Sequence, residues 1–341
     1  MQPSQNKFAA AWKNRAAGVI DGKTRKGVAA FLLVSLFATL GLQAATRAEL
    51  LRAKLDSADT NYVFVVLHRA AWREAPENSI PAIEAAIAMG GDMVEIDVAK
   101  TKDGVHVLSH DGRLNRVSDR AGVIADMTLE EVRAARLKEG QGGPNAKLTD
   151  LHVPTLREAL EACRGKILVN IDKFNGDPKG ITAIIKEIGV EKQVVLKGYG
   201  DYDYMKSRIG EPFKYIENRD FVYMPIVGSG TNEMQLAKTI AHFQGWDKSS
   251  YPPPAYEVCI PGDAPKALFD AFRASPNRPR IWINTLWDSL AHGHSECTQG
   301  HTPESVWGWC LEQGATLIQT DDPKACLKYL TEKGRHDLEA K

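Results

Sequence analysis

The sequence predicts an α/β chain folded as a (β/α)₈ barrel, on three observations. Short apolar runs of strand length alternate with helical segments over about 270 residues, as a barrel of βα units requires. The first run, 63–67 (VFVVL), is apolar at every position, as expected of a strand covered on both faces. No glycine-rich phosphate loop follows it, which places a doubly wound open sheet second.

The elements follow in order. Residues 49–58 read as an amphipathic helix bridging to the domain proper. After the 63–67 strand, Pro76-Glu-Asn-Ser79 gives a turn with Asn78 or Ser79 as N-cap, and Ile80, Ile83, Ala86 and Ile87 carry helical periodicity to Gly90-Gly91. Residues 93–98 (MVEIDV) are the second strand, 105–108 a short third after the Lys102-Asp-Gly104 turn. Residues 128–137 read as a helix capped by Thr128, 140–147 as a loop, 154–163 as a helix and 166–172 as a strand. Strands at 193–197, 221–227, 256–260, 280–285 and 316–320 then alternate with helices at 202–209, 233–243, 264–273, 304–313 and 324–330. That makes nine strand candidates, one too many, and 105–108 is best placed as a hairpin partner of the second strand.

At 341 residues, 43% hydrophobic and 25% charged, the chain can bury a large core. Lys+Arg and Asp+Glu stand at 43 each, so no charge excess points to nucleic acid or an anionic surface. The first 26 residues are basic, and 27–46 carry no charge. Residues 1–46 therefore read as a secretory signal peptide or an N-terminal membrane anchor through 27–46, with the domain outside the cytoplasm, secreted or periplasmic. The expected organisation is 1–46 leader, 47–60 bridging helix and 61–335 barrel domain, with no linker long enough for another domain.

Chemistry concentrates between His68 and Arg116. Alternation on the second strand turns Glu95 and Asp97 to one face and Val94, Ile96 and Val98 to the other. Two carboxylates among apolar neighbours need compensation, and Mg²⁺ or Ca²⁺, which take oxygen ligands, would supply it. His68 and His110 sit at strand ends, and histidine is the side chain type suited to serve as an acid and a base. Metal, acid, base and an arginine together suggest phosphate-ester cleavage.

This stretch resembles the signature of the glycerophosphodiester phosphodiesterase family. The matching residues are His68-Arg69, Pro76-Glu77-Asn78-Ser79, Glu95-Ile96-Asp97, Thr101-Lys102-Asp103-Gly104, His110-Asp111 and Arg116. Residues 314–323 (GATLIQTDDP) resemble the family's closing motif, with Thr316 where an acid is usual. The resemblance implies a barrel of the phospholipase C-like phosphodiesterase type, Glu95 and Asp97 as metal ligands, and His68 and His110 as the proton-transferring pair. Arg69 would hold the phosphate by paired hydrogen bonds, or pair with Glu77, or both; Glu77 would orient its neighbours, and Asp111 would orient His110 or cap a turn.

Two departures stand out. The family's glycine after His-Arg is Ala70 here, a cost if that position needs positive φ. On the 166–172 strand the family commonly carries E-x-K, whereas this chain reads Asn170-Ile-Asp172-Lys173. Period-two parity puts Asn170 and Asp172 on one face and turns Lys173 away. We therefore expect Asp172 to complete the metal site, Asn170 to assist and Lys197 to reach the phosphate, the plain alternative being a Lys197–Asp172 ion pair.

Trp282 and Asn284 share a strand face and are candidates to line the substrate pocket; Trp287 is equally a core residue. His292, His294, Cys297 and His301 fit no standard zinc spacing and read as a surface or active-site loop. Five cysteines allow one or two disulfides in an oxidising compartment, though their placement suggests several buried thiols.

The expected function is metal-dependent hydrolysis of glycerophosphodiesters to glycerol 3-phosphate and an alcohol. The resemblance implies attack first by a glycerol hydroxyl, then hydrolysis of a cyclic phosphate. The alternatives are lysolipid or phospholipase D-like cleavage on the same barrel, or a non-catalytic phosphodiester-binding protein.

Overall fold

The computed structural model describes residues 44–228, 232–261 and 266–338. The leader expected at 1–46 lies almost wholly outside them, and among the described residues no helix is long and apolar enough to cross a membrane.

Eight parallel strands form the barrel: β1 (Phe64–Leu67), β2 (Met93–Lys100), β6 (Leu168–Asp172), β7 (Val194–Gly198), β8 (Val222–Gly228), β9 (Ala255–Cys259), β10 (Arg280–Asn284) and β11 (Ala315–Thr320). It closes because β1 pairs in parallel with both β2 and β11. The surplus strand is β3 (His106–Leu108), antiparallel to β2, so the hairpin reading holds. The remaining pair, β4 (Arg136–Lys138) and β5 (Leu148–His152), lies in an insertion after β3 with a small core of its own, including Leu114, Val117, Val132 and Leu137.

Strand parity splits the barrel interior into two storeys. Phe64, Val66, Met93, Leu168, Val195, Val222, Met224, Ala255, Trp282 and Leu317 form an apolar lower cluster. Two residues further along their strands, on the same face, come His68, Glu95, Asn170, Lys197, Glu257, Asn284 and Gln319, all buried. The polar storey lies at the C-terminal ends of the strands, the end where barrels of this kind carry their sites. Val94, Ile96, Val169, Ile171, Val258 and Ile283 face outward under the helices.

The expected bridging helix is α1 (Arg47–Asp56), and it serves as the barrel floor. Thr46 and Glu49 cap it reciprocally, and Leu51 and Leu55, one turn apart, join the lower cluster. Burying two leucines contributes about 3–6 kcal/mol, enough to hold so short a helix in place. Arg280, at the start of β10, donates to the Lys54 and Leu55 carbonyls at its C-terminal end.

The 128–137 helix is a correction. Only Leu129–Arg133 is helical (α2), and Arg136–Lys138 turns into β4, where pairing with β5 outweighs helical propensity. Helices at Pro178–Ile188 and Phe213–Glu217 were not anticipated.

Candidate active site

Both signature histidines are held in the same manner. His68 ends the β1 run and places Nδ1 2.8 Å from Oδ1 of Asp321, the acid just after β11. The Trp72 indole donates to that same oxygen at 2.5 Å. His110 places Nδ1 2.7 Å from Oδ1 of Asp111, whose Oδ2 accepts from Arg116 at 2.8 Å. A carboxylate only accepts, so each ring carries its proton on Nδ1 and is left with Nε2 as its working nitrogen. The Arg116 hydrogen bond, with that of His110, outweighs burial and pulls the Asp111 carboxyl down to about 2.

Arg116 continues the chain of contacts inward, with NH1 and NH2 each 2.8 Å from an oxygen of Glu77. Glu77 also accepts from Arg69 at 2.9 Å, so one buried carboxylate ties both arginines together. Glu77 thus orients its neighbours, and Asp111 holds His110 rather than only capping a turn.

Glu95, Asp97 and Asp172 converge with carboxylate oxygens within 4.8 Å of one another, the one such cluster among the described residues. Parallel pairing of β2 and β6 produces it, by setting Glu95 beside Asn170 and Asp97 beside Asp172. Burial and the Asp97 charge push Glu95 up, against Lys197 and His68. Burial works against the Asp97 charge too, but Lys173, His110, the Asn78 hydrogen bond and Arg69 outweigh it and hold Asp97 low. Asn78 grips Asp97 twice: its amide donates to Oδ2 at 2.9 Å, and its carbonyl accepts the Asp97 N–H at 3.0 Å. Ser79, not Asn78, is the N-cap of the next helix, Ile80–Ala88. Asn170 is fully buried, donates to the Val195 carbonyl, and has no partner for Oδ1. Three carboxylates crowded together, Glu95 and Asp97 buried and Asp172 partly exposed, with a spare amide oxygen beside them, suit a hard divalent cation.

Arg69, Ala70 and Asn78 all have positive φ, at 51°, 62° and 55°. The cost foreseen for Ala70 is therefore real, and three strained residues in one site fit a turn fixed by its surroundings. The Arg69 N–H donates to Glu95 at 3.0 Å, and Arg69 Nε lies 3.7 Å from Asp97.

Lys173 corrects the parity expectation. The strand ends at Asp172, and Lys173 has φ 62°, so alternation no longer applies to it. Its ammonium turns back over the site, 3.4 Å from Asp97 Oδ1 and bonded to the His110 carbonyl. Lys197 points inward as expected but lies closest to Glu257, at 3.1 Å, with Asp172 at 4.0 Å. Burial works against its charge, yet Glu257, Asp172 and Glu95 more than offset it and keep it protonated. Asn284 donates to Glu257 at 2.8 Å and accepts from the Trp282 indole at 2.5 Å. Trp282 is fully buried beneath Lys197, whose ammonium stands 5.5 Å from its ring, so it floors the lysine and does not line an open pocket. Trp287 is half-exposed, edge-on to His68 at 5.6 Å, and so is not a core residue.

Glu257 escaped the sequence reading although its signal was present: an acid in a buried strand between Tyr256 and Val258, the pattern that singled out Glu95. Among the described residues the histidines of 292–301 join no metal cluster, and His294 stacks on Trp309 at 4.4 Å. All five cysteines are free, with Cys163, Cys310 and Cys326 buried.

Residues 68–197 match the sequence model of the glycerophosphoryl diester phosphodiesterase family, and residues 223–330 match that of a domain of unknown function. The chain is 33% identical over 147 residues to a glycerophosphodiester phosphodiesterase of Caldanaerobacter subterraneus subsp. tengcongensis, covering 40% of this chain and 58% of that protein. It is 32% identical over 173 residues to the human glycerophosphodiester phosphodiesterase 1, covering 49% and 51%. These alignments thus span just over half of each relative. A crystal structure of a glycerophosphoryl diester phosphodiesterase from Parabacteroides distasonis superposes with a TM-score of 0.61 at 24% identity, over 83% of this chain and 91% of that one, and shows the shared barrel.

Proposed function

We propose, since residues 68–197 match the sequence model of the glycerophosphoryl diester phosphodiesterase family, that this chain hydrolyses glycerophosphodiesters to glycerol 3-phosphate and an alcohol. The observation that carries the reading is the pair of Nδ1-anchored histidines flanking the Glu95–Asp97–Asp172 cluster.

The three carboxylates, with Asn170, would hold Mg²⁺ or Ca²⁺. Bound there, the cation would polarise the phosphoryl group and lower the pKa of a hydroxyl. Glu95, pushed up by burial and by Asp97, is the carboxylate most in need of such a charge. His68 and His110 exchange protons through Nε2, one taking a proton from the attacking glycerol hydroxyl and the other, carrying a second proton on Nε2, giving that proton to the departing alkoxide. In the second stage water opens the cyclic phosphate and the two roles reverse. Arg69 and Lys197 stabilise the charge that builds on the phosphoryl oxygens, with Trp282 beneath Lys197 and Asn284 holding its partner Glu257. Lys173, over the Asp97 side, adds a third cation.

The test is release of glycerol 3-phosphate from glycerophosphocholine and glycerophosphoethanolamine, with either metal and with chelator. Release that needs the metal and disappears in His110→Ala supports the reading. No release from any glycerophosphodiester overturns it.

A further inference from the structure

Asp111 is braced by an arginine, whereas Asp321 has no Lys or Arg ion pair among the described residues. Among the described residues its carboxylate bonds only His68 and the Trp72 indole, so its aim depends on the turn that carries it. That turn is held by Arg73, whose Nε donates to the Asp321 carbonyl, and by Glu296, in the loop whose histidines fit no standard zinc spacing. Glu296 Oε2 accepts the Asp321 N–H at 2.8 Å. Oε1 accepts the Thr285 hydroxyl at 2.6 Å, the Trp307 indole at 3.3 Å and the Thr320 hydroxyl. The His68 N–H in turn donates to the Thr320 carbonyl. One carboxylate therefore joins the ends of β10 and β11 to the segment at Trp307 and grips the backbone of the acid that fixes His68.

We propose that Glu296 is a positioning residue for His68, acting through the Thr320–Asp321 turn. The expected consequence for turnover rests on the proposed phosphodiesterase reading. A mainly structural carboxylate could hold the same two strands together, but its loss would not be routed through Asp321. Four donors on one side chain leave the turn a single arrangement, and the imidazole inherits that order through Nδ1.

The experiment uses the full chain with Mg²⁺ and glycerophosphocholine, comparing wild type with Glu296→Ala, Glu296→Gln, Asp321→Asn and Glu296→Ala/Asp321→Asn. Groups that orient a working histidine are typically worth roughly 10- to 100-fold. Glu296→Ala should lower kcat about tenfold with KM within about twofold. Glu296→Gln should recover most of that, because its amide oxygen still accepts the Asp321 N–H. Adding Glu296→Ala to Asp321→Asn should cost nothing further. Nitrogen-15 shifts of the His68 ring should show the Nδ1–H tautomer in the wild type and a mixture in Glu296→Ala, with Glu296→Gln guarding against a folding defect. Losses that multiply, or an unchanged His68 tautomer in Glu296→Ala, would overturn the proposal. If the wild type cleaves no phosphodiester, the functional reading fails while the tautomer comparison still decides the role of Glu296.

Discussion

The two histidines share one device in two different settings. His68 stands on a barrel strand end with its side chain 6% exposed, and its carboxylate partner comes from the opposite end of the chain. His110 stands on a loop with its side chain 40% exposed, and its partner is the next residue. A strand-borne histidine is fixed by the closure of the barrel; a loop-borne one needs a local brace, here Asp111, Arg116 and Glu77. Rigidity and access are thus divided between the two rings.

The largest effects should come from removing either ring. His68→Ala and His110→Ala should each lower turnover by about 10²–10⁴. Added imidazole should restore part of the activity of His110→Ala and none of that of His68→Ala, because only the first leaves a vacancy open to solvent. Equal rescue of both would abolish the distinction. Next come the anchors: Asp321→Asn should cost more turnover than Asp111→Asn, roughly 100-fold against 10-fold, since Arg116 still braces the His110 loop through Glu77.

Glu77→Ala should uncouple the brace, leaving Arg69 and Arg116 without their shared partner. Breaking a buried pair from one side costs about 3–5 kcal/mol, to be read from urea unfolding. A smaller effect is expected from pH. Asp111 is depressed to about 2 in the folded chain, so its pairing stabilises fully above the unfolded value of about 4 and is lost as pH falls through about 2. The stability gap between wild type and Asp111→Asn should be flat above pH 4 and close below it. Smallest of all, Ala70→Gly should stabilise by about 0.5–1 kcal/mol, the relief of positive φ less the flexibility added to the unfolded chain.

Where alternation and local motifs operate, the sequence was legible. The strands of the barrel and the hairpin role of 105–108 follow from apolar runs, their count and the turn before that segment, while the inward face of Glu95 and Asp97 and the convergence of Asp172 with them follow from period-two parity within continuous strands. Lys173 shows where that logic stops: one residue past the strand, a left-handed backbone reverses its direction. The 136–138 segment shows the other limit, because its pairing partner lies outside the window in which helical propensity is summed.

By itself the sequence determined the strands of the barrel, the acid pair on β2 and the two candidate histidines, since local periodicity and short motifs are properties of neighbouring residues. Only the tertiary structure decided that Asp321 would hold His68, that Glu257 would sit against Lys197, that Glu77 would bridge two arginines and that α1 would floor the barrel. Each of those contacts joins residues from different strands or loops, and closure of the barrel brings them together.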